Sequence, residues 1–198
     1  MIPVPFDQPV ARIVFDVVLL VFAVGELAIR VSTIRNRSSR GTTEWGSLVV
    51  VVAGFGVGIA GGILIAVQVS WAAIPAWRFG LFIAGIALMV LGIVLRAWSV
   101  IVLGRNFTVY VQVRDEQPVV DTGPYRLLRH PSYTGLLLAC LGIGLALGNW
   151  LALVVVVAVP TIAILVRIRV EEQALLAGIG EPYRRFMATR KRLIPWVW

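Results

Sequence analysis

Four stretches of the chain carry no charged side chain: residues 48–77, 79–95, 132–147 and 150–166. A fifth, 13–27, is apolar apart from Asp16 and Glu26 near its two ends. A helix of about 20 mostly apolar residues crosses a hydrocarbon core about 30 Å thick. The last two runs join into an uncharged stretch from 132 to 166, too long for one crossing at about 1.5 Å per residue. Gly148-Asn149 is a turn signal inside it, and Trp150 beside that turn suits a membrane interface. The stretch therefore reads as a tight helical hairpin. The pattern predicts an all-α fold, a polytopic membrane helix bundle with five transmembrane helices. It reads as one domain over residues 1–198, with three spans in 1–100 and the other two within 103–195.

Composition narrows the class. Hydrophobic residues make up 59% and charged residues 14%, against roughly 45–50% and about 25% in soluble domains. That excludes a water-soluble globular enzyme, a disordered chain and a disulfide scaffold; the single cysteine, Cys140, lies inside an apolar run. The net charge is +8, and Lys191 is the one lysine among 18 basic residues. So basic and apolar a chain meets anionic lipid headgroups rather than nucleic acid. Arginines gather after the first span (Arg30, Arg35, Arg37, Arg40), after the third (Arg96, Arg105, Arg114, Arg126, Arg129) and in the tail from Arg167 onward. An odd number of crossings puts all three segments on one side, as the positive-inside rule asks. The expectation is an integral, multi-pass protein with its N-terminus outside and its C-terminus in the cytoplasm. No basic segment or small-residue cleavage site accompanies the first apolar run, which argues against a cleaved signal peptide. The preference for arginine over lysine points to a GC-rich genome and a bacterial cell membrane. Gly54, Gly58 and Gly62 recur every fourth residue along the second span, which lets another helix approach closely, within the chain or across an oligomer.

Polar residues concentrate in 104–131 and in the tail from Arg167, both at the cytoplasmic ends of their helices. The first segment is too long for a mere connector. It holds Asn106, Gln112, a turn at Thr122-Gly123-Pro124-Tyr125, and the string Arg129-His130-Pro131-Ser132-Tyr133. Pro131 stands where a first helical residue should, which puts His130 at the N-cap. Backbone N–H groups and the positive dipole end there form an anion site at the membrane surface. In the second segment Arg167 and Glu171, four residues apart, share a helix face, with Arg169 pointing away. Arg169, Glu172 and the later basic residues read as ordinary interfacial charges reaching for lipid phosphates. One histidine and one distant cysteine fall short of a metal ligand set. No Ser/His/Asp set, phosphate loop or dinucleotide glycine motif is present. Taken alone, these residues describe an anion-binding site at a membrane interface.

The string Arg129-His130-Pro131-Ser132-Tyr133-Thr134-Gly135, preceded by Gly123-Pro124-Tyr125, resembles the isoprenylcysteine carboxyl methyltransferase family. Leu103-Gly104-Arg105-Asn106-Phe107, Arg167 followed by Glu171-Glu172, and Gly180-Glu181-Pro182-Tyr183 agree with it in order. The likeness covers about residues 103–195; the first two spans carry no recognisable motif. It implies a methyltransferase that uses S-adenosyl-L-methionine, releases S-adenosyl-L-homocysteine, and encloses the cofactor between the last spans and the cytoplasmic tail. The matching cofactor contacts are Gln112, the stretch Gln117-Pro118-Val119-Val120, Tyr125, His130-Pro131-Ser132-Tyr133 and Glu171. Arg167 matches the arginine that addresses the substrate, and it forms the catalytic pair with Glu171. Eukaryotic members carry a histidine where this chain has Gln117, so a role for that stretch runs through its backbone.

These roles make physical sense. The helix N-terminus at His130-Pro131-Ser132 suits the cofactor's carboxylate, and Glu171 suits its ammonium or sulfonium. Tyr125 and Tyr133 can flank the adenine or the sulfonium. The planar fork of Arg167 can hold an anionic acceptor. An apolar bundle implies a lipophilic small-molecule acceptor entering between helices, most simply a carboxylate, which needs no general base at pH 7. A lipid phenol or enol, a phospholipid amine, and NADPH-dependent sterol or enone reduction are the alternative readings.

Overall fold

The computed structural model describes residues 3–34, 46–107 and 118–195. Its helices are α1 (Val4–Asp7), α2 (Pro9–Ile34), α3 (Gly46–Gln68), α4 (Arg78–Leu103), α5 (Pro131–Ala146), α6 (Trp150–Ile179) and α7 (Glu181–Thr189). Extended pairing among the described residues is limited to isolated bridges, Ala73 with Asn149 and Leu128 with Lys191. The protein is all-helical. By length and composition α3, α4 and α6, with 23, 26 and 30 residues, can cross a membrane. The apolar α5 has 16 residues, about 24 Å of helix. The 26 residues of α2 include Arg12, Asp16, Glu26 and Arg30.

Two close helix pairs build the bundle, α4 against α5 and α3 against α6, and α5 also packs on α6. Glycine permits both pairings. A Cβ on Gly92 would stand 2.5 Å from the carbonyl oxygen of Gly135, and one on Gly135 would stand 2.7 Å from that of Gly92. Two turns along, Gly85 and Gly142 repeat the arrangement at 2.6 and 2.5 Å. Backbone touches backbone along this seam. The glycine ladder of α3 meets α6 instead: Cβ atoms on Gly54, Gly58 and Gly62 would fall 2.7, 2.8 and 2.1 Å from Ala163, Pro160 and Val156. The expected close approach is thus made within the chain. Pro160, inside α6, has no N–H to give, and its ring occupies the space left bare at Gly58. Lipid tails are as apolar as leucine, so such contact, rather than hydrophobic exclusion, holds helices together in a membrane.

The expected hairpin is present. Gly148 adopts φ 58°, and Asn149 caps α6 by accepting from Leu151 N and Ala152 N at 3.1 and 3.0 Å. Its amide also donates to Val69 O at 2.9 Å, tying the turn to the end of α3. Three boundaries differ from the sequence pattern. The second apolar run does not stay helical to 77: α3 stops at Gln68 and a short 3-10 turn, Ser70–Ala72, follows. Pro75 keeps any helix from running on to 77, since proline and the residue before it resist continuing one. The third run does not end at 95, because α4 continues to Leu103 and carries Arg96 inside it, buried. Likewise α6 runs past 166 to Ile179, lifting Arg167 and Glu171 on rigid helix.

The seam between α4 and α5 makes a testable demand. Gly92→Ala should lower stability by about 1–3 kcal/mol, the usual cost of overpacking. Gly56→Ala, where a Cβ meets nothing within 4 Å, should leave it unchanged or raise it. Thermal unfolding in detergent measures both; equal effects would contradict backbone contact at Gly92.

Candidate active site

The turn before α5 is shaped by proline. Pro131 sits at the first helical position and His130 at the N-cap, as the sequence predicts. Pro131 has no N–H, and Tyr133 N donates back to His130 O at 3.0 Å. The helix end therefore offers fewer backbone donors to an anion than the bare pattern suggests. Outside this turn runs the chain after α7. Arg129 N donates to Lys191 O at 2.7 Å, His130 N to Arg192 O at 3.1 Å, and Thr134 Oγ1 to Leu193 O at 2.8 Å. The tail is thereby laced onto the turn.

Beneath this lacing lies a cavity of about 240 Å³. Of the residues singled out from sequence, Pro118, Val119, Val120, Tyr125, His130, Ser132, Tyr133, Arg167 and Glu171 all line it. Pro131 is fully buried at the helix start and does not line the cavity. Gln112 and Gln117 lie outside the described residues. Arg167 and Glu171 share a face as expected, and they converge on one hydroxyl. Tyr133 Oη donates to Glu171 Oε2 at 2.7 Å and accepts from Arg167 Nε at 3.4 Å. Arg167 is itself buried, and its Nη1 donates to Ser47 Oγ on α3. Arg169 is exposed.

Two features depart from the sequence reading. Glu172 is no interfacial charge: only 4% of it is exposed, and it accepts from His130 Nε2 at 3.2 Å. Arg192 grips the same carboxylate at 2.9 and 3.1 Å, and Arg129 Nη1 approaches it at 3.0 Å. Its partners lie 20 residues ahead and more than 40 behind, beyond any helical spacing. The second feature is an ion pair inside the bundle. Arg96 donates bidentately to Glu26 of α2, Nε to Oε1 at 2.8 Å and Nη2 to Oε2 at 3.0 Å. Its Nη1 donates to Ser132 Oγ, and its guanidinium carbon lies 5.5 Å from the centroid of the Phe107 ring. Both ends of this pair line the cavity. Opposite charges on two separate spans are the signal that could have revealed it.

The remaining walls are apolar and aromatic. Phe22 of α2 and Leu48, Val51 and Phe55 of α3 close one side; Leu175, Ile179, Tyr183 and Phe186 close another. Burial pushes the Tyr125 phenol well above its usual range, with the charge of Glu171 adding and that of Arg96 opposing. Burial does the same to Tyr183, aided by Glu171 and Glu172. Both rings therefore stay neutral, acting as walls rather than as proton carriers.

Fold and site together define an integral membrane protein of all-helical architecture, with a cavity lined partly by charged and partly by apolar side chains. A family model described as phospholipid methyltransferase matches residues 81–179, the span of α4 to α6. The chain belongs to that family. Among curated proteins, protein-S-isoprenylcysteine O-methyltransferase B of Arabidopsis thaliana is 30% identical over 115 residues, covering 57% of this chain and 58% of that protein. A probable protein-S-isoprenylcysteine O-methyltransferase of Oryza sativa subsp. indica is 32% identical over 104 residues, 52% of this chain and 54% of its own. The chain thus matches little more than half the length of these relatives. The solved structure of the eukaryotic intramembrane Ras methyltransferase ICMT superposes with a TM-score of 0.65 at 21% identity, covering 93% of this chain and 67% of that one. The fold is shared with that protein.

The Glu26–Arg96 pair yields a stability prediction. Glu26→Gln should cost about 3–5 kcal/mol by leaving a buried guanidinium uncompensated, whereas adding Arg96→Met to it should recover most of the loss. A thermal-unfolding double-mutant cycle decides; additive losses would mean that the two side chains do not interact.

Proposed function

We propose that this chain transfers a methyl group from S-adenosyl-L-methionine to a carboxylate on a lipophilic acceptor. In this reading the bundle crosses the membrane five times, N-terminus outside, with the cavity at the cytoplasmic face where arginine abounds. The observation that carries the proposal is convergence. Two polar segments, 118–133 and 167–171, meet in one cavity whose opposite wall is the apolar faces of α2 and α3.

The residues fit the cofactor. Arg129 lines the cavity, and its Nε is buried with no hydrogen-bond partner among the described residues. That cation and the acid Glu171 match a ligand bearing both a carboxylate and an ammonium, and the tyrosine and valine walls match an adenine. Bound there, the cofactor supplies an electrophilic methyl on a sulfonium. Arg167 offers a planar fork of donors and no acceptor, so it orients a carboxylate better than an amine. Tyr133 holds Arg167 and Glu171 in register through its hydroxyl. Phe22, Leu48, Val51 and Phe55 receive the acceptor's apolar part and keep water away. Opposite charges annihilate as the methyl moves, and a low-dielectric site favours that change.

The test is direct. Purified protein given methyl-labelled cofactor and a membrane lipid extract should place label on a lipid, and alkali should release it, as for an ester. Alkali-stable label would assign the chemistry to a phenol, enol or amine; no label, with heat protection by NADPH, would assign a reductase. Arg167→Ala should lower kcat/KM about ten- to hundredfold, the worth of a charge-assisted hydrogen bond. Glu171→Gln should weaken cofactor binding by a similar factor. Because a carboxylate is already ionised, the rate should stay flat from about pH 6 to 8; a rise tracking acceptor deprotonation would overturn the carboxylate reading.

A further inference from the structure

Along the seam between α3 and α6, a serine takes the place of small apolar residues at the level where α6 presents a buried cation. The buried positions of α3 are Ser47, Val51, Gly58, Gly62 and Ala66. On α6 they run through Ala152, Val156, Pro160 and Ala163 to Arg167. The two helices pack antiparallel, with Gly62 against Val156, Gly58 against Pro160 and Gly54 against Ala163. Ser47 lies seven residues before Gly54, two turns back on the same stripe, and Arg167 lies one turn past Ala163. The seam thus delivers the serine to the guanidinium, and Arg167 Nη1 donates to Ser47 Oγ. Both residues are buried, at 4% and 3% exposure.

A guanidinium is planar, so turning it about the Cδ–Nε bond re-aims the donors it carries. Tyr133 Oη meets Nε, which lies on that axis, at 3.4 Å, near the limit of a hydrogen bond. Such a contact does little to oppose the turn. Nη1 lies off the axis, so its bond to Ser47 does oppose it. We infer that Ser47 is a positioning residue that sets the plane of the Arg167 guanidinium, and with it the line along which an acceptor carboxylate is presented. The inference rests on the proposed function, in which Arg167 holds that carboxylate. An acceptor oxygen must reach the methyl carbon opposite the breaking carbon–sulfur bond, whose electron pair passes to sulfur. Misplacement by about 1 Å can cost about a hundredfold in such a step. Ser47 does not line the cavity, so it acts through Arg167 and not on either reactant. By this route α3, a span without a recognisable motif, enters the chemistry.

The test follows labelled ester formed from methyl-labelled cofactor and the membrane lipid extract. Ser47→Ala should lower its rate about tenfold, the worth of a charge-assisted hydrogen bond. Heat protection by S-adenosylhomocysteine should be unchanged, since the cofactor's own contacts are intact. Ser47→Thr, which keeps a hydroxyl, should recover most of the loss, whereas Ser47→Val, its counterpart without one, should not. In an Arg167→Ala background, Ser47→Ala should bring no further loss. Losses that multiply in the double variant, weakened S-adenosylhomocysteine protection, or Ser47→Thr as slow as Ser47→Val would reduce Ser47 to a packing residue. Ester formed by the unaltered chain at a rate that Ser47→Ala does not change overturns the role of Ser47 alone. No labelled ester from the unaltered chain overturns the proposed function, and the inferred role with it. If Ser47→Ala does not fold, the comparison of Ser47→Thr with Ser47→Val decides.

Discussion

At the carboxylate of Glu172, nitrogens from the turn before α5 and from the C-terminal tail close in to between 2.9 and 3.2 Å. A buried carboxylate is costly unless charge and hydrogen bonds compensate it. Here the compensating groups come from segments that have little else to place them. Arg129 and His130 belong to a short irregular stretch, and Arg192 to a tail without helical structure. The penalty for leaving Glu172 unpaired thus becomes the force that seats both segments against α6. Backbone pairing of residues 129 and 130 with 191 and 192 follows the same line. The geometry of the cavity roof depends on one acid that does not itself line the cavity.

The floor depends on glycine. Where Gly85 and Gly92 meet Gly142 and Gly135, α4 and α5 touch through backbone atoms, which fixes their spacing more tightly than side-chain interdigitation could. Arg96, one turn beyond Gly92 on α4, is thereby delivered to Ser132 at the start of α5. The glycine ladder of α3 does the corresponding work against α6, and it brings Ser47 to Arg167. Arg96 and Arg167 are thus each positioned by a seam in the apolar part of the bundle. Packing deep in the membrane region and polar geometry at its edge are one construction.

This division explains what could be read from sequence. The hairpin at Gly148-Asn149, the Pro131 helix start and the shared face of Arg167 and Glu171 all rest on local rules, covering a turn, a cap and a spacing of four. They are legible because cause and effect lie within a few residues. The ladder at Gly54, Gly58 and Gly62 was visible as a pattern, though its partner helix was not. Glu26 with Arg96, and Glu172 with Arg192, are contacts between segments 70 and 20 residues apart. An isolated charge near the edge of an apolar run has the same appearance whether it meets lipid phosphate or a buried partner. A charge closes the apolar run at 95, so the pattern puts Arg96 just after the third span, whereas α4 continues to Leu103. A helix tolerates that charge once its counter-ion arrives from α2.

The manner in which α2 joins the bundle bears on how an acceptor reaches the cavity. The other long helices meet where a glycine leaves backbone bare, against backbone in α4–α5 and against small or ring side chains in α3–α6, whereas the lone glycine of α2, Gly25, has nothing within 4 Å of its missing Cβ. Side chains attach α2: Phe15 and Phe22 enter the core, and Glu26 pairs with Arg96 near the cavity. Side-chain contacts can part by rotamer changes; backbone seams cannot part without moving whole helices. Phe22 on α2 and Phe55 on α3 face the same cavity from helices that share no close seam. For the proposed lipophilic acceptor, that wall yields at the least cost in packing, and its ionic latch lies beside the polar end of the cavity.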